Sequence, residues 1–207
     1  GEFFSMSLEE RKRNFELAVE AVDGKAGTIM SCSDQNFDTV IELAKHAQNI
    51  GADYIVVHAP ILHFIHDRDE TIYNYYQTIC EQVDIGIAMW SHPDSGYLMS
   101  PQLCARIAEL PNIMAIKYSV PRDMYTELTH LVGDKILVST ASEDEWLDNI
   151  IDLNWQKQAT IPHVLNIIDH FATRITSIKI ISSKKLGNGV PREDSIFVNK
   201  ETSVLIV

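Results

Sequence analysis

The sequence is poor in cysteine, in basic residues and in long apolar runs, and each shortage excludes something. Its three cysteines, Cys32, Cys80 and Cys104, lie far apart in 207 residues. An odd, sparse set gives no disulfide framework. It predicts reduced thiols in a cytoplasmic protein, each acting as a small buried hydrophobe. Lys and Arg number 17 against 29 Asp and Glu, for a net charge of −12. That balance argues against a nucleic-acid or anionic-membrane surface. No stretch approaches the ~20 uncharged apolar residues of a transmembrane span. No G-x-G-x-x-G or G-x-x-x-x-G-K-[ST] phosphate loop is present, and no G-x-S-x-G nucleophile motif. The chain opens Gly1-Glu2-Phe3-Phe4, without an initiator Met or a signal-peptide pattern. That start suits a processed chain or a fragment.

What is there is a repeated change of period. The hydrophobic fraction of 45% is evenly spread, as in a globular protein. Ser7-Leu8-Glu9-Glu10 reads as a capping box. It opens a helix with Leu8, Phe15, Leu17, Ala18 and Val22 to one side, stopped at Gly24. Ala26–Ser31 reads as a buried strand and Asn36–Ile50 as a helix with Phe37, Val40, Ile41, Ala44 and Ala47 on one face. Tyr54–His58 reads as a strand, and Asp69 as the cap of a helix to about Val83. Ile85–Trp90 is a predicted strand. Ser100-Pro101 is a cap with Pro at the first helical position of a helix to about Leu110. Ile113–Lys117 is a strand, Asp123 to Val132 a helix, Ile136–Ser139 a strand and Glu143–Ile151 a helix. Beyond Gln156 the pattern weakens: Pro162–Phe171 reads as a helix, Ile175–Ile181 as a strand, 182–189 as a loop, and the tail holds two β-rich runs.

Strand starts recur every ~23–31 residues, the size of one strand-plus-helix unit. The strands are short, β-branched and apolar on both faces, as parallel strands under helices must be. The class is therefore α/β with a parallel sheet. An open doubly wound sheet and a (β/α)8 barrel compete, and the missing phosphate loops weaken the first.

In parallel α/β folds, function gathers at the carboxyl ends of the strands. Those ends read Ser31-Cys32-Ser33, His58-Ala59-Pro60, Trp90-Ser91-His92-Pro93, Lys117-Tyr118-Ser119 and Ser139-Thr140. Lys117 stands out, because it closes the apolar run Ile113-Met114-Ala115-Ile116. Desolvation there disfavours the ammonium, and a neutral amine can attack a carbonyl to form a Schiff base. A lysine that snorkels to the rim or pairs with an acid is the plainer alternative. His58, His63, His66 and Asp67 are close in sequence but match no metal-ligand spacing, so no metal is expected. Tyr73, Tyr75 and Tyr76 read as helix packing. Glu143-Asp144-Glu145 reads as an acidic first helical turn.

The order of these features resembles the dihydrodipicolinate synthase / N-acetylneuraminate lyase family. Gly1-Glu2 and the helix at Ser7-Leu8-Glu9-Glu10-Arg11 resemble the end of that family's Gly-Thr-Thr-Gly-Glu loop and its following helix. Gly51-Ala52-Asp53, then Ala59-Pro60, resembles the "G-A-D … P" segment. Ile113-Met114-Ala115-Ile116-Lys117 resembles the "N-I-x-G-I-K" strand. The resemblance covers about residues 1–155. It implies a (β/α)8 TIM barrel, a lyase, and Lys117 as the residue forming a Schiff base with pyruvate or another small 2-oxo acid. It implies no cofactor, and a homo-oligomer, either dimer or tetramer.

The departures are specific. The family's two pyruvate-anchoring threonines precede the Gly-Glu pair, so they fall before residue 1. Trp90, in Trp90-Ser91-His92-Pro93, occupies the place of the catalytic tyrosine. The second tyrosine would fall near Leu62. An indole N–H donates a hydrogen bond but cannot act as a base. Trp90 is therefore expected to shape the pocket, with His58 or His92 taking over proton transfer. A divergent aldolase, dehydratase or hydratase-aldolase fits better than dihydrodipicolinate synthesis.

The sequence thus predicts an incomplete (β/α)8 barrel over 1–155, lacking the family's first two strands, and a divergent segment over 156–207. Complete barrels run to about 250 residues. The expected activity is aldol cleavage, condensation or dehydration through Lys117. Trp90, His58, His92 and Ser139 are the candidate substrate-binding residues. A non-catalytic truncated barrel or pseudoenzyme is one alternative, and a small-anion-binding α/β module another.

Overall fold

The computed structural model describes residues 3–60, 67–140 and 204–206. Helix α1 (Leu8–Val22) opens on the capping box read from the sequence. The Ser7 hydroxyl accepts from the Glu10 N–H, and Glu10 accepts from the Ser7 N–H at 2.8 Å. It ends at Asp23 and Gly24, both at positive φ. Strand β1 (Gly27–Ser31) leads to α2 (Phe37–Asn49), capped by the Asn36 side chain. Strand β2 (Tyr54–His58) and α3 (Arg68–Gln82) follow, then β3 (Gly86–Ser91) and α4 (Pro101–Ile107). Strand β4 (Ile113–Tyr118), α5 (Arg122–Val132), β5 (Leu137–Ser139) and β6 (Val204–Ile206) complete the described elements.

All neighbouring strands run parallel, in the order β5-β4-β3-β2-β1-β6. From β1 to β5 each strand lies beside the next one in sequence. A doubly wound sheet would reverse its order at a switch point. None occurs among these five strands, and each helix packs against the next. This is the winding of a TIM barrel, seen as an open arc.

Burial alternates along the strands and separates two faces. The outer face, under the helices, carries Met30, Ile55, Val57, Ile87, Met89, Ile116 and Val138, all buried. Val40, Leu43, Ile72, Ile79, Ile107 and Leu128 meet them from the helices. Full burial of each such side chain contributes about 1.5–3 kcal/mol before entropy is counted. The inner face is the half-open concave side. Tyr54, Met114 and Leu137 are exposed on it.

Two local contacts explain residues that the sequence made conspicuous. Asp53 accepts from the Thr28 N–H at 2.7 Å and from its hydroxyl at 2.9 Å, locking the starts of β1 and β2 together. Gly51, at φ +82°, supplies the left-handed turn that delivers Asp53 there. At Gly86 an added Cβ would stand 2.5 Å from the Tyr54 ring, so glycine admits that aromatic onto the sheet.

Three expectations need correction. Asp67, not Asp69, caps α3, accepting from the Glu70 N–H at 3.1 Å. The α4 helix ends at Ile107 rather than Leu110. Leu17 is 46% exposed, because the buried stripe of α1 is Arg11, Phe15 and Ala18. The helices expected at 143–151 and 162–171, the strand at 175–181 and the loop at 182–189 lie outside the described residues. Of the two β-rich tail runs, Val204–Ile206 forms β6.

Candidate active site

Four of the five candidate residues fall in one row across the sheet. His58 is the register partner of Trp90, Trp90 of Lys117, and Lys117 of Ser139. The row lies at or one residue from the carboxyl ends of β2, β3, β4 and β5. Each member alternates with a buried neighbour, so the row faces inward, and each is partly buried. Strand spacing puts the Lys117 backbone about 5 Å from those of Trp90 and Ser139, and about 10 Å from that of His58.

The fifth candidate, His92, joins them from one residue beyond β3. It sits two residues from Trp90, so its ring turns to the same side. The rings stack flat, with centroids 5.2 Å apart and 2° between planes. The His58 ring stands 5.0 Å from the indole, tilted by 54°. Phe3 also packs against His58, at 5.3 Å between centroids. Phe3, His58, Trp90 and His92 thus form a continuous aromatic wall along the mouth of the arc.

The rim is held by hydrogen bonds from both flanks. Arg11, only 3% exposed, reaches from α1 to the end of β1. Its guanidinium donates to Ser31 O at 2.9 Å, Ser33 O at 2.8 Å and the Asp34 carboxylate at 2.9 Å. The Ser33 hydroxyl then accepts from the His58 N–H at 3.1 Å. On the other flank, Met99 N–H donates to the Ser91 hydroxyl at 3.1 Å, and Tyr118 Oη donates to Met99 O at 2.6 Å. Ser119 N–H donates to Ser91 O at 3.0 Å. These bonds hold the turn after β3, which carries His92, against β4.

The electrostatics of the row are uneven. Burial holds the His58 imidazole below the usual histidine range, despite the bond to Ala59 O that works the other way. Its Nδ1 lies 3.3 Å from Ala59 O, and a carbonyl only accepts, so Nδ1 carries the proton. Among the described residues Ser139 Oγ makes one long contact, 3.4 Å to Ile116 O, which leaves it able to turn to a ligand. Ser119 Oγ, two residues beyond Lys117, is buried with no hydrogen-bond partner among the described residues.

Three neighbours of the site were not among the candidates. Arg11 was hidden by its charge, although it shares the helical stripe of Phe15 and Ala18. Phe3 lies in a short turn with no period to reveal it. Ser119 was legible as a strand-end residue but carried no motif. Among the described residues no three His, Cys, Asp or Glu side chains gather as a metal site. His63 and His66 lie outside them, and Asp67 is occupied as a helix cap. Cys32, Cys80 and Cys104 are buried and free, with burial pushing their thiols up.

A model of the dihydrodipicolinate synthetase family matches residues 1–177. The chain belongs to this family. A 4-hydroxy-tetrahydrodipicolinate synthase of Syntrophobacter fumaroxidans is 31% identical over 145 residues, 69% of this chain and 49% of that protein. An uncharacterised DapA-like lyase of Thermococcus onnurineus is 32% identical over 157 residues, 73% of this chain and 52% of that one. The chain therefore spans about half the length of the curated relatives it matches. Dihydrodipicolinate synthase of Thermotoga maritima superposes with a TM-score of 0.66 at 26% identity, covering 73% of this chain and 52% of its own. The Acinetobacter baumannii synthase, solved with pyruvate, gives 0.67 at 23% identity over the same shares, a likeness of fold alone. The matched residues include Lys117 on β4 and its register partner Trp90 on β3.

Proposed function

We propose that this chain is a lyase that forms a Schiff base between Lys117 and pyruvate or another small 2-oxo acid. The observation that carries the reading is the position of Lys117. Among the described residues it is the one lysine or arginine in the inward row, one residue from the carboxyl end of its strand, flanked by Trp90 and Ser139. Membership of a family of lyases supports it. The amine attacks the ketone carbon, the carbinolamine loses water, and the protonated imine draws electrons from the adjacent bond. A C–C bond then forms or breaks, or water leaves. Trp90, His58 and His92 line the wall against which the substrate lies, and Ser139 offers a hydroxyl to its polar end. No cofactor is required for this chemistry. The three free thiols suit a reducing compartment such as the cytoplasm. The family likeness supports a homo-oligomer, dimer or tetramer. Among the described residues no helix is long and apolar enough to cross a membrane.

The test is borohydride trapping against a panel of 2-oxo acids, read by intact mass. The native chain is expected to gain the mass of one reduced imine with at least one acid. Lys117→Arg and Lys117→Ala are expected to gain none. Trapping that persists in both variants would remove Lys117 from the mechanism.

A further inference from the structure

We propose that His58 is the base of this site, taking a proton from C3 of the lysine-bound 2-oxo acid through its Nε2 atom. The proposal rests on the Schiff-base reading and goes one step beyond it. For the imine to form a new bond at C3, a proton must first leave that carbon. The base removes that proton, the C3–H electron pair becomes the C2=C3 bond, and the C2=N pair moves onto nitrogen. The protonated imine becomes a neutral enamine, and the base carries one proton more, which it later returns to product.

Trp90 cannot do this, because an indole N–H has no basic lone pair. Three tyrosine hydroxyls are committed elsewhere. Tyr76 donates to Val57 O, Tyr118 to Met99 O and Tyr125 to Val138 O, each in a buried contact. His58 has what they lack. Its Nδ1 is tied to Ala59 O, which leaves Nε2 as the accepting atom of the ring. Phe3 and Trp90 both pack against the ring, at 5.3 and 5.0 Å between centroids, which restricts its rotation. It stands in the row of Lys117, about 10 Å away along the sheet. A lysine side chain bearing a three-carbon acid covers most of that span. His92, by contrast, lies flat on the indole outside the strand, where it orients Trp90.

The charges around His58 favour its neutral form. Burial and the nearby Arg11 guanidinium on α1 both oppose a second proton. Asp34, beside Arg11, is held by the guanidinium. Cys32 at the end of β1 is a buried neutral thiol. His92 lies across the indole on β3, and Lys117 two strands away on β4.

The experiment pairs two readouts on the full chain with pyruvate, or with whichever acid traps best. Borohydride trapping reports the imine, and deuterium uptake at C3 in heavy water, followed by NMR, reports the proton transfer. The native chain is expected to do both. Its exchange rate should fall as pH drops, with a midpoint below the ordinary histidine value of about 6.5. His58→Gln is expected to keep trapping and lose about a hundredfold or more in exchange. His58→Ala should behave likewise and regain exchange with added imidazole. Unchanged exchange in His58→Gln overturns the proposal. So does joint loss of trapping and exchange in both His58 variants, which would give His58 a role in the fold or in imine formation. Absence of trapping in the native chain removes the Schiff-base reading itself, and this proposal with it.

Discussion

The two faces of the sheet differ in every row. The outer face is mainly apolar, with Thr28, Ser91 and Tyr118 the polar-tipped members of its buried set, and it is sealed by helices. The inner face is apolar at its amino end, where Tyr54 lies on Gly86 beside Met114, and polar at its carboxyl end, where Lys117 stands. The outer face holds the arc together. The inner face contributes less to stability, and so it can carry a cation, two imidazoles and an indole. A parallel strand serves both, because successive side chains point to opposite faces.

This contrast is sharpest at Lys117. Lys117→Met is expected to abolish borohydride trapping while leaving urea unfolding within about 0.5 kcal/mol, the usual range for a site away from the packed core. A large loss of stability would show that Lys117 also serves the fold. Ile87→Ala on the outer face is expected to cost about 2–5 kcal/mol. Val56→Ala on the inner face should cost clearly less, and equal costs in denaturant titrations would erase the distinction between the faces. Asp53→Ala strips the buried Thr28 N–H and hydroxyl of their acceptor. A loss of about 1–3 kcal/mol is expected, with trapping retained in what remains folded. Gly86→Ala should show the smallest effect, about 1 kcal/mol, because the half-exposed Tyr54 ring can swing away from the new methyl. A larger drop in Tm would mean that Tyr54 is fixed on the sheet.

Much of this arrangement was legible in the residues. The Tyr54–His58 strand was read at its observed bounds, since Gly51 and Pro60 bracket a run with no helical period. The inward row followed from a rule of the fold class: chemistry sits where parallel strands end. The errors came where two residues of one type compete, or where a charge hides in a core stripe. Asp67 and Asp69 both suit the start of α3, and the backbone at Asp67, φ −120° and ψ 90°, decides for Asp67. Arg11 reads as a surface residue by type, yet it is buried because two strand-end carbonyls and a carboxylate satisfy it. No pattern announces such a bond set, because its partners lie 20–23 residues away in sequence. The wall of rings was half visible: Trp90 and His92 are two apart, whereas Phe3 reaches His58 only through the fold.

The pairing of β1 with β6 bears on how the chain reaches this state. Gly27 lies beside Val204, whereas β1 to β5 each pair with the strand one unit later. Closing so long a loop costs entropy before any contact repays it, and distant pairings form slowly. The arc from β1 to β5 can zip up unit by unit as each strand and helix emerges. The β1–β6 contact must come last. Among the described strand pairs it therefore bears the largest loop-closure cost, and a substitution that weakens it should lower stability without slowing the assembly of β1 to β5.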